Sequence, residues 1–369
     1  MVPQNSPIGQ GRSNRSGFFS PIILIDVSNL AFRFAYAFRG LESDGQPTGM
    51  FYGAVKAIND LREKISRRIV FCWDHGVPGV ARQKNWREEF VKSYKGTRKH
   101  DEEERRRILA QFPDLFKAFT WLGYSSVSAA GLEADDVIGI LASEIKDPVL
   151  IFSTDKDFYQ LLDSHVEILV PKKDKGLFRK ISARDVEKEY GVPVARWAEY
   201  LALGGDSSDN IKPRKGMGPK TAAKLIQEGI RLDLPFRLQP LELQKRHADL
   251  EEIWPTILRS YEAARIPTSW DDPRIAKCLD CSTLRVSYHT EQKWRSDSDR
   301  KICEENFIRY CADRNMVTLI AMRRALFQNN ILGEHRCPVP KQNRPVPKQK
   351  SPVLPWKKKS PLQKSIWEL

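Results

Sequence analysis

No stretch of the chain approaches the run of about 18 apolar residues that a membrane helix needs. Residues 1–20, MVPQNSPIGQGRSNRSGFFS, also lack the continuous apolar segment of a secretory signal. Both observations predict a cytoplasmic protein. Cysteine is sparse, six in 369 residues, and in that compartment the thiols stay reduced. Cys278 and Cys281 form a C-x-x-C, but Cys303 and Cys311 do not repeat the spacing and no histidine knuckle follows. Ordinary thiols are therefore the better reading than a zinc site. A Walker A loop is missing too, because GMGPKT lacks the four residues between Gly and Gly-Lys-Ser/Thr. What the chain has in excess is positive charge: 61 Lys and Arg against 47 Asp and Glu, a net +14. That balance favours an acidic partner such as nucleic acid. The 41% hydrophobic content is enough for one large core or two modest ones.

Three apolar runs each end in acid. IILIDVSNL, residues 22–30, reads as a buried strand leading through a turn-like Ser-Asn and carries Asp26 near its carboxyl end. RIVFCWDHG, 68–76, repeats the pattern with Asp74, and DPVLIFSTDKD, 147–157, repeats it with Asp155 and Asp157. Helical periods lie between them in GAVKAINDLREKI, ILAQFPDLFKAFTWLG and DDVIGILASEI. Alternation of this kind predicts parallel βαβ units, hence an α/β fold with a doubly wound, mostly parallel sheet. In such sheets functional groups gather at the carboxyl ends of the strands, so the acids should converge.

GLEADDVIGILASE, 131–144, adds Glu133, Asp135 and Asp136 at a helix start. Any one of these alone is as well explained as a helix cap or a solvated acid. LGGDSSDNI, 203–211, adds Asp206 and Asp209 near a helix end. Carboxylates set against apolar segments are costly to bury unpaired, so a positive species should sit among them. Next comes KPRKGMGPKTAAKLIQEG, where Gly216 and Gly218 allow a tight turn and Pro219 opens a helix. Lys212, Arg214, Lys215, Lys220 and Lys224, with Thr221 at the helix start, surround free N–H groups, a natural phosphate site. The bland alternative is a basic, solvated turn.

LIDVSNLAFRF, FCWDHG, SYKGTR, GLEADD, STDKDF and GDSSDNI…GMGPKTAAKL, in that order, resemble the flap endonuclease or 5′ nuclease family. The likeness is to the phage enzymes and the 5′ nuclease domains of bacterial DNA polymerases, and it covers roughly residues 21–235. It implies two Mg²⁺ ions, with Mn²⁺ able to substitute. Asp26, Asp74, Glu133 and Asp135 would surround one ion, and Asp155, Asp157 and Asp206 the other. Asp136 and Asp209 would be supporting members. The segment between Asp74 and Glu133 would be a helical arch at about 80–112. Lys95 and Arg98 would contact the scissile phosphate there, with Tyr94 placed to stack on a base and Arg33 a basic residue near the first metal acid.

The implied organisation is a flexible arm (1–20), the α/β nuclease core (21–170), a helix-hairpin-helix-like DNA-binding region (171–235), a helical variable region (236–334) and a disordered, basic, Pro-rich tail (335–369). The implied activity is metal-dependent cleavage of branched or 5′-ended DNA, including removal of RNA primers, by a free-standing monomer at the nucleoid of a bacterium or of a phage-infected cell. A PIN-type ribonuclease and a non-catalytic junction-binding protein remain as alternatives. IKPR replaces the family's usual IPGV, so Pro213 stands at a Gly position and puts in doubt the K⁺ site that members build from carbonyls in this loop. The tail ends in QKSIW, whose Gln363, Ile366 and Trp367 are ordered like the short pentapeptides that bacterial-type sliding clamps bind. A plain basic tail and another replication protein as partner are the competing readings.

Overall fold

The computed structural model describes residues 20–74, 84–92, 94–95, 102–172, 178–206, 209–211, 217–276 and 289–327. Residues 1–19 of the N-terminal arm, Arg98, Lys212, Pro213, Arg214, Lys215, Gly216, the Cys278/Cys281 pair and the whole tail with Gln363, Ile366 and Trp367 lie outside them.

The first half of the chain runs β1 (Ile22–Asp26), α1 (Val27–Ala37), a small hairpin β2–β3 (Glu42–Ser43 and Gln46–Pro47), α2 (Gly49–Lys64), β4 (Ile69–Cys72), α3 (Glu102–Leu109), α4 (Phe112–Trp121), β5 (Ser125–Val127), α5 (Ala134–Glu144) and β6 (Val149–Phe152). It continues with β7 (Val166–Pro171), β8 (Phe178–Ile181), α6 (Ala183–Tyr190), α7 (Trp197–Gly204), α8 (Pro219–Gln227), α9 (Leu241–Arg246), α10 (Leu250–Ala264), α11 (Asp297–Asp313) and α12 (Val317–Phe327). The main sheet has the order β5-β4-β1-β6-β7-β8, parallel except for the β7–β8 pair.

Alternation along the strands builds a core on each face. Ile22, Leu24, Val70, Cys72, Val149 and Ile151 face α5, α7, α8 and α10. Ile23, Ile25, Ile69, Phe71, Leu150 and Phe152 face α1, α2, α4, α11 and α12. Strands buried on both sides need no polar face, which is why these segments read as unbroken apolar runs. Phe71 stacks on Phe119 of α4 with centroids 3.6 Å apart. Arg62 of α2, itself buried, donates to the Tyr124 hydroxyl and to the Ala325 carbonyl at 2.9 Å each, tying the last helix to the sheet.

Register decides where the acids emerge. Asp26 pairs with Cys72 and Ile25 with Phe152, so β1, β4 and β6 end level. The chain leaves β1 toward β4 and β5 and returns to its other side at β6, which makes the β1–β6 crevice a topological switch point. The Ser-Asn read as a turn is instead the first turn of α1, capped by the Asp26 side chain, which accepts from Asn29 N at 3.0 Å. The helical period expected from Ile108 onward is divided between α3 and α4, with Pro113 in the first turn of α4.

Candidate metal centre

Asp26 is the residue at which β1 becomes α1. Its second oxygen accepts from the Ser153 hydroxyl at 3.0 Å across the switch point. Burial, then the charge of Asp74, pushes its pKa up to about 7. Asp74 follows β4; it accepts from Ala134 N at 2.7 Å, one of the free N–H groups that open α5, and from the Ser28 hydroxyl. Glu133 caps α5 and is buried, 5% exposed. Asp155 caps the short 3-10 turn Lys156–Leu161, accepting from Asp157 N at 3.0 Å.

The cluster is continuous. Burial raises Asp157, and Asp155, Asp209, Asp206 and Asp135 add to the shift. Burial also raises Asp135 and Asp209, against the pull of Arg87 on the first and of Lys95 on the second. One oxygen each from Asp157, Asp206 and Asp209 lies within 4.8 Å of the others. That is about the span a single hard cation bridges with oxygen ligands at 2.1–2.6 Å. The donor set is all carboxylate, which suits Mg²⁺ or Mn²⁺ and not a soft metal. Asp209, expected only in support, thus stands in the tightest trio. Asp206 and Asp209 are held close by a two-bond bridge between Asp206 and Ile211 at 2.9 and 2.8 Å.

Positive groups close the other side. Arg87 is 1% exposed, and its guanidinium reaches Glu133 at 3.4 Å, Asp135 at 3.1 Å and Asp136 at 2.9 Å. Burial opposes its charge, but Asp135 and Asp136 outweigh burial and hold its pKa well above the usual value. Asp136 is fully enclosed, accepting also from Trp86 Nε1 at 3.1 Å and Glu133 N at 2.9 Å. Lys95 reaches Glu133 Oε1 at 2.6 Å, and Asp209 lies 4.0 Å away. Its backbone is left-handed (φ 55°), a conformation costing a non-glycine residue about 1 kcal/mol. Burial works against the ammonium, yet Glu133 and Asp209 keep it charged above its ordinary range. The Tyr94 hydroxyl, placed by the sequence reading against a base, donates to Asp209 at 2.8 Å or to Glu133 at 3.0 Å.

The remaining site candidates make no bond to the acids among those described. Arg33 is exposed on α1. Pro219 is the first residue of α8, as its sequence predicts, and Gly218 precedes it. Gly218 has extended backbone and open space around it, so this position does not require glycine. Lys220 and Lys224 are exposed and, with Thr221 and His247, line a groove beside α8. The sequence reading missed Arg87, Ser28, Asn29 and Ser153. Asn29 Oδ1 accepts from Thr154 N and its hydroxyl at 3.2 and 3.1 Å, locking the ends of β1 and β6 together. For Arg87 the available signal was Trp86 and Phe90, an aromatic i,i+4 pair that turns its short segment inward.

A mostly parallel sheet in this order, with carboxylates crowded at its switch point, is the PIN-like 5′ nuclease fold. Bacteriophage T5 5′-exonuclease, solved with bound divalent metal ions (zinc), shares it with a TM-score of 0.55 at 24% identity, over 67% of this chain and 90% of that one. The family model for the 5′-3′ exonuclease, N-terminal resolvase-like domain, matches residues 21–191. The 5′-3′ exonuclease of Buchnera aphidicola subsp. Schizaphis graminum is 30% identical over 263 residues, 67% of this chain and 86% of that protein. That of Streptomyces coelicolor is 32% identical over 222 residues, 56% of this chain and 71% of that protein. DNA polymerase I of Deinococcus radiodurans is 35% identical over 241 residues, but the chain spans 24% of its length. The chain belongs to the 5′-3′ exonuclease family.

Proposed function

We propose that the protein is a metal-dependent, structure-specific 5′ nuclease that hydrolyses phosphodiesters of branched or 5′-ended DNA. The observation that carries this reading is the convergence of carboxylates from five chain segments on one end of the sheet, with an all-oxygen trio spanning 4.8 Å. Asp26, Asp74, Glu133, Asp135, Asp155, Asp157, Asp206 and Asp209 hold the divalent ions, two Mg²⁺ with Mn²⁺ as substitute; Asp136 supports them through Arg87. When bound, such a pair supplies an activated water and charge stabilisation for the leaving oxygen.

The protein's own groups do the rest. Lys95, beside the acids, and Arg98, three residues on, neutralise the scissile phosphate. Lys220 and Thr221 at the start of α8 and Lys224 in its last turn, with Lys212, Arg214, Lys215, Gly216 and Gly218, grip a duplex backbone without reading bases. RNA in a primer hybrid presents the same phosphates, so primer removal fits the same site. Asn210, left-handed at φ 59° beside Asp209, is placed to help order this loop, where a K⁺ site stays in doubt because Pro213 replaces a Gly.

The deciding experiment is incubation of the protein with a 5′-labelled flap duplex with and without Mg²⁺. Release of the flap with Mg²⁺ and none with EDTA is expected. Tight binding without cleavage would return the junction-binding alternative, and cleavage of RNA strands alone the ribonuclease one.

The QKSIW end of the tail extends the proposal to a sliding clamp. A Pro- and Lys-rich tether ending in Ile366 and Trp367 fills a hydrophobic pocket and raises local concentration at replicating DNA. A pull-down of the clamp from the same source should succeed with the intact tail and fail with Ile366→Ala plus Trp367→Ala. Loss only on changing the tail lysines to Gln would leave the tail an electrostatic hold on DNA.

A further inference from the structure

The acids of α5 and the acid of the Lys156–Leu161 turn come from different segments, yet both are fastened to a third. Arg87, beneath Glu133, Asp135 and Asp136, donates from Nε to the Ala263 carbonyl at 3.0 Å. Gln160 donates from Nε2 to the carbonyl of Asp157 at 2.9 Å and to that of Ala264 at 3.0 Å. Its Oε1 accepts from Ile266 N at 2.8 Å. Ala263 and Ala264 close α10, where helix carbonyls have no partners within the helix, and Ile266 follows two residues beyond. Arg274 fastens the same end with bonds to the Glu262 and Arg265 carbonyls at 2.8 and 3.0 Å.

The segment that leaves α10 also lies hard against α5. A Cβ on Gly139 would stand 2.3 Å from Ile266 Cγ2 and 2.5 Å from the Pro267 carbonyl oxygen. Only glycine allows that approach. Residues 263–267, on one side of the contacts made by Arg87, Gln160 and Gly139, lie beyond residues 21–191, the part matched by the family model.

We propose that Gln160 and Arg87 are positioning residues that hang the two groups of acids from one scaffold, the C-terminal end of α10, and thereby set the spacing at which a divalent ion is held. Like charges at this density repel, and a short turn would yield to that repulsion. Gln160 prevents it by gripping the backbone of Asp157 itself, while Arg87 anchors the acids of α5 a residue away on the same helix. The inference rests on the divalent-ion reading above.

Gln160→Met keeps the length of the side chain and removes its three hydrogen bonds without touching a carboxylate. Gly139→Ala pushes the segment after α10 from α5 and removes no hydrogen bond. Mn²⁺ binding to the full chain is measured by titration calorimetry, with thermal melting followed by circular dichroism. Each variant is expected to melt cooperatively and to bind Mn²⁺ about tenfold or more weakly, the usual scale for groups that orient ligands. The double variant should be little worse than either single one, because both break the same link. A role in packing alone would lower the melting temperature and leave the affinity of the folded protein unchanged. Unchanged Mn²⁺ affinity in the folded variants overturns the proposal, and should one fail to fold, the other decides. A wild type that binds no Mn²⁺ overturns the divalent-ion reading instead, so the two failures are distinguishable.

Discussion

The guanidinium of Arg87 and the carboxylate of Asp136 meet at 2.9 and 2.8 Å in a space closed to solvent, the two residues being 1% and 0% exposed. Asp136 is thereby turned away from the open side of the cluster, where Asp157 and Asp206 are part-exposed. It holds the cation that in turn steadies Glu133 and Asp135, and this separates it from the acids proposed to meet a metal.

Removing Asp136 should therefore behave as the breaking of a buried ion pair. Asp136→Ala is expected to cost about 3–5 kcal/mol, because Arg87 loses its closest partner with no water to replace it. Urea unfolding in EDTA measures this directly. A midpoint equal to that of wild type would show that the pair does not support the fold.

Asp26 should respond in the opposite sense. Its folded pKa, about 7, lies above the ordinary 3.8, so between those values the folded state holds more protons than the unfolded one. Metal-free stability then falls as pH rises from about 4 to 7 and stays low above that. Asp26→Asn keeps the helix cap and removes the charge. In EDTA it should be more stable than wild type by about 2–4 kcal/mol at pH 8, on the scale of 1.4 kcal/mol per pKa unit, and near parity at pH 4. A stability difference that does not change with pH would contradict the buried, raised carboxyl.

Asp157 combines the two themes, being raised by burial and by Asp155, Asp209 and Asp206. Asp157→Asn, or Asp155→Asn, should abolish cleavage of a flap duplex while leaving DNA binding nearly intact, since the charge serves an ion and not the fold. Without metal the Asp157→Asn protein should melt at a higher temperature than wild type. Wild-type turnover in the double variant, or activity indifferent to EDTA, would exclude a metal mechanism.

The sequence showed the acids and the strands that carry them because buried parallel strands are continuous apolar runs and the carboxylates interrupt them at one end. It did not show β5, β7 and β8. Ser125–Val127 is three residues long, and the edge strand β8, FRKI, is half exposed, so neither carries an apolar period. It did not show Arg87 either: the segment is dense in both charges, and the Trp86–Phe90 pair was the one hint that its neighbourhood turns inward. The link from α10 to the acids was equally hidden, since two of its four bonds end on backbone carbonyls of α10, which no side-chain pattern records.

Lys95 and Lys220 should fail in different ways. Lys95 lies among the acids, 2.6 Å from Glu133, where it can meet a phosphate brought to the same carboxylates. Lys220 is exposed at the start of α8, on a helix whose free N–H groups suit a backbone phosphate. Lys95→Ala is expected to lower single-turnover cleavage by on the order of 100-fold with little loss of DNA affinity, the mark of a contact made in the transition state. Lys220→Ala should weaken binding, reduce the salt slope by about one ion, and leave the single-turnover rate of bound substrate close to wild type. The measurements are fluorescence anisotropy across a salt series in Ca²⁺ and quench-flow cleavage in Mg²⁺. If the two variants lose binding and rate in the same proportion, Lys95 is only another backbone contact, and the proposed division between a chemical centre and a duplex grip does not hold.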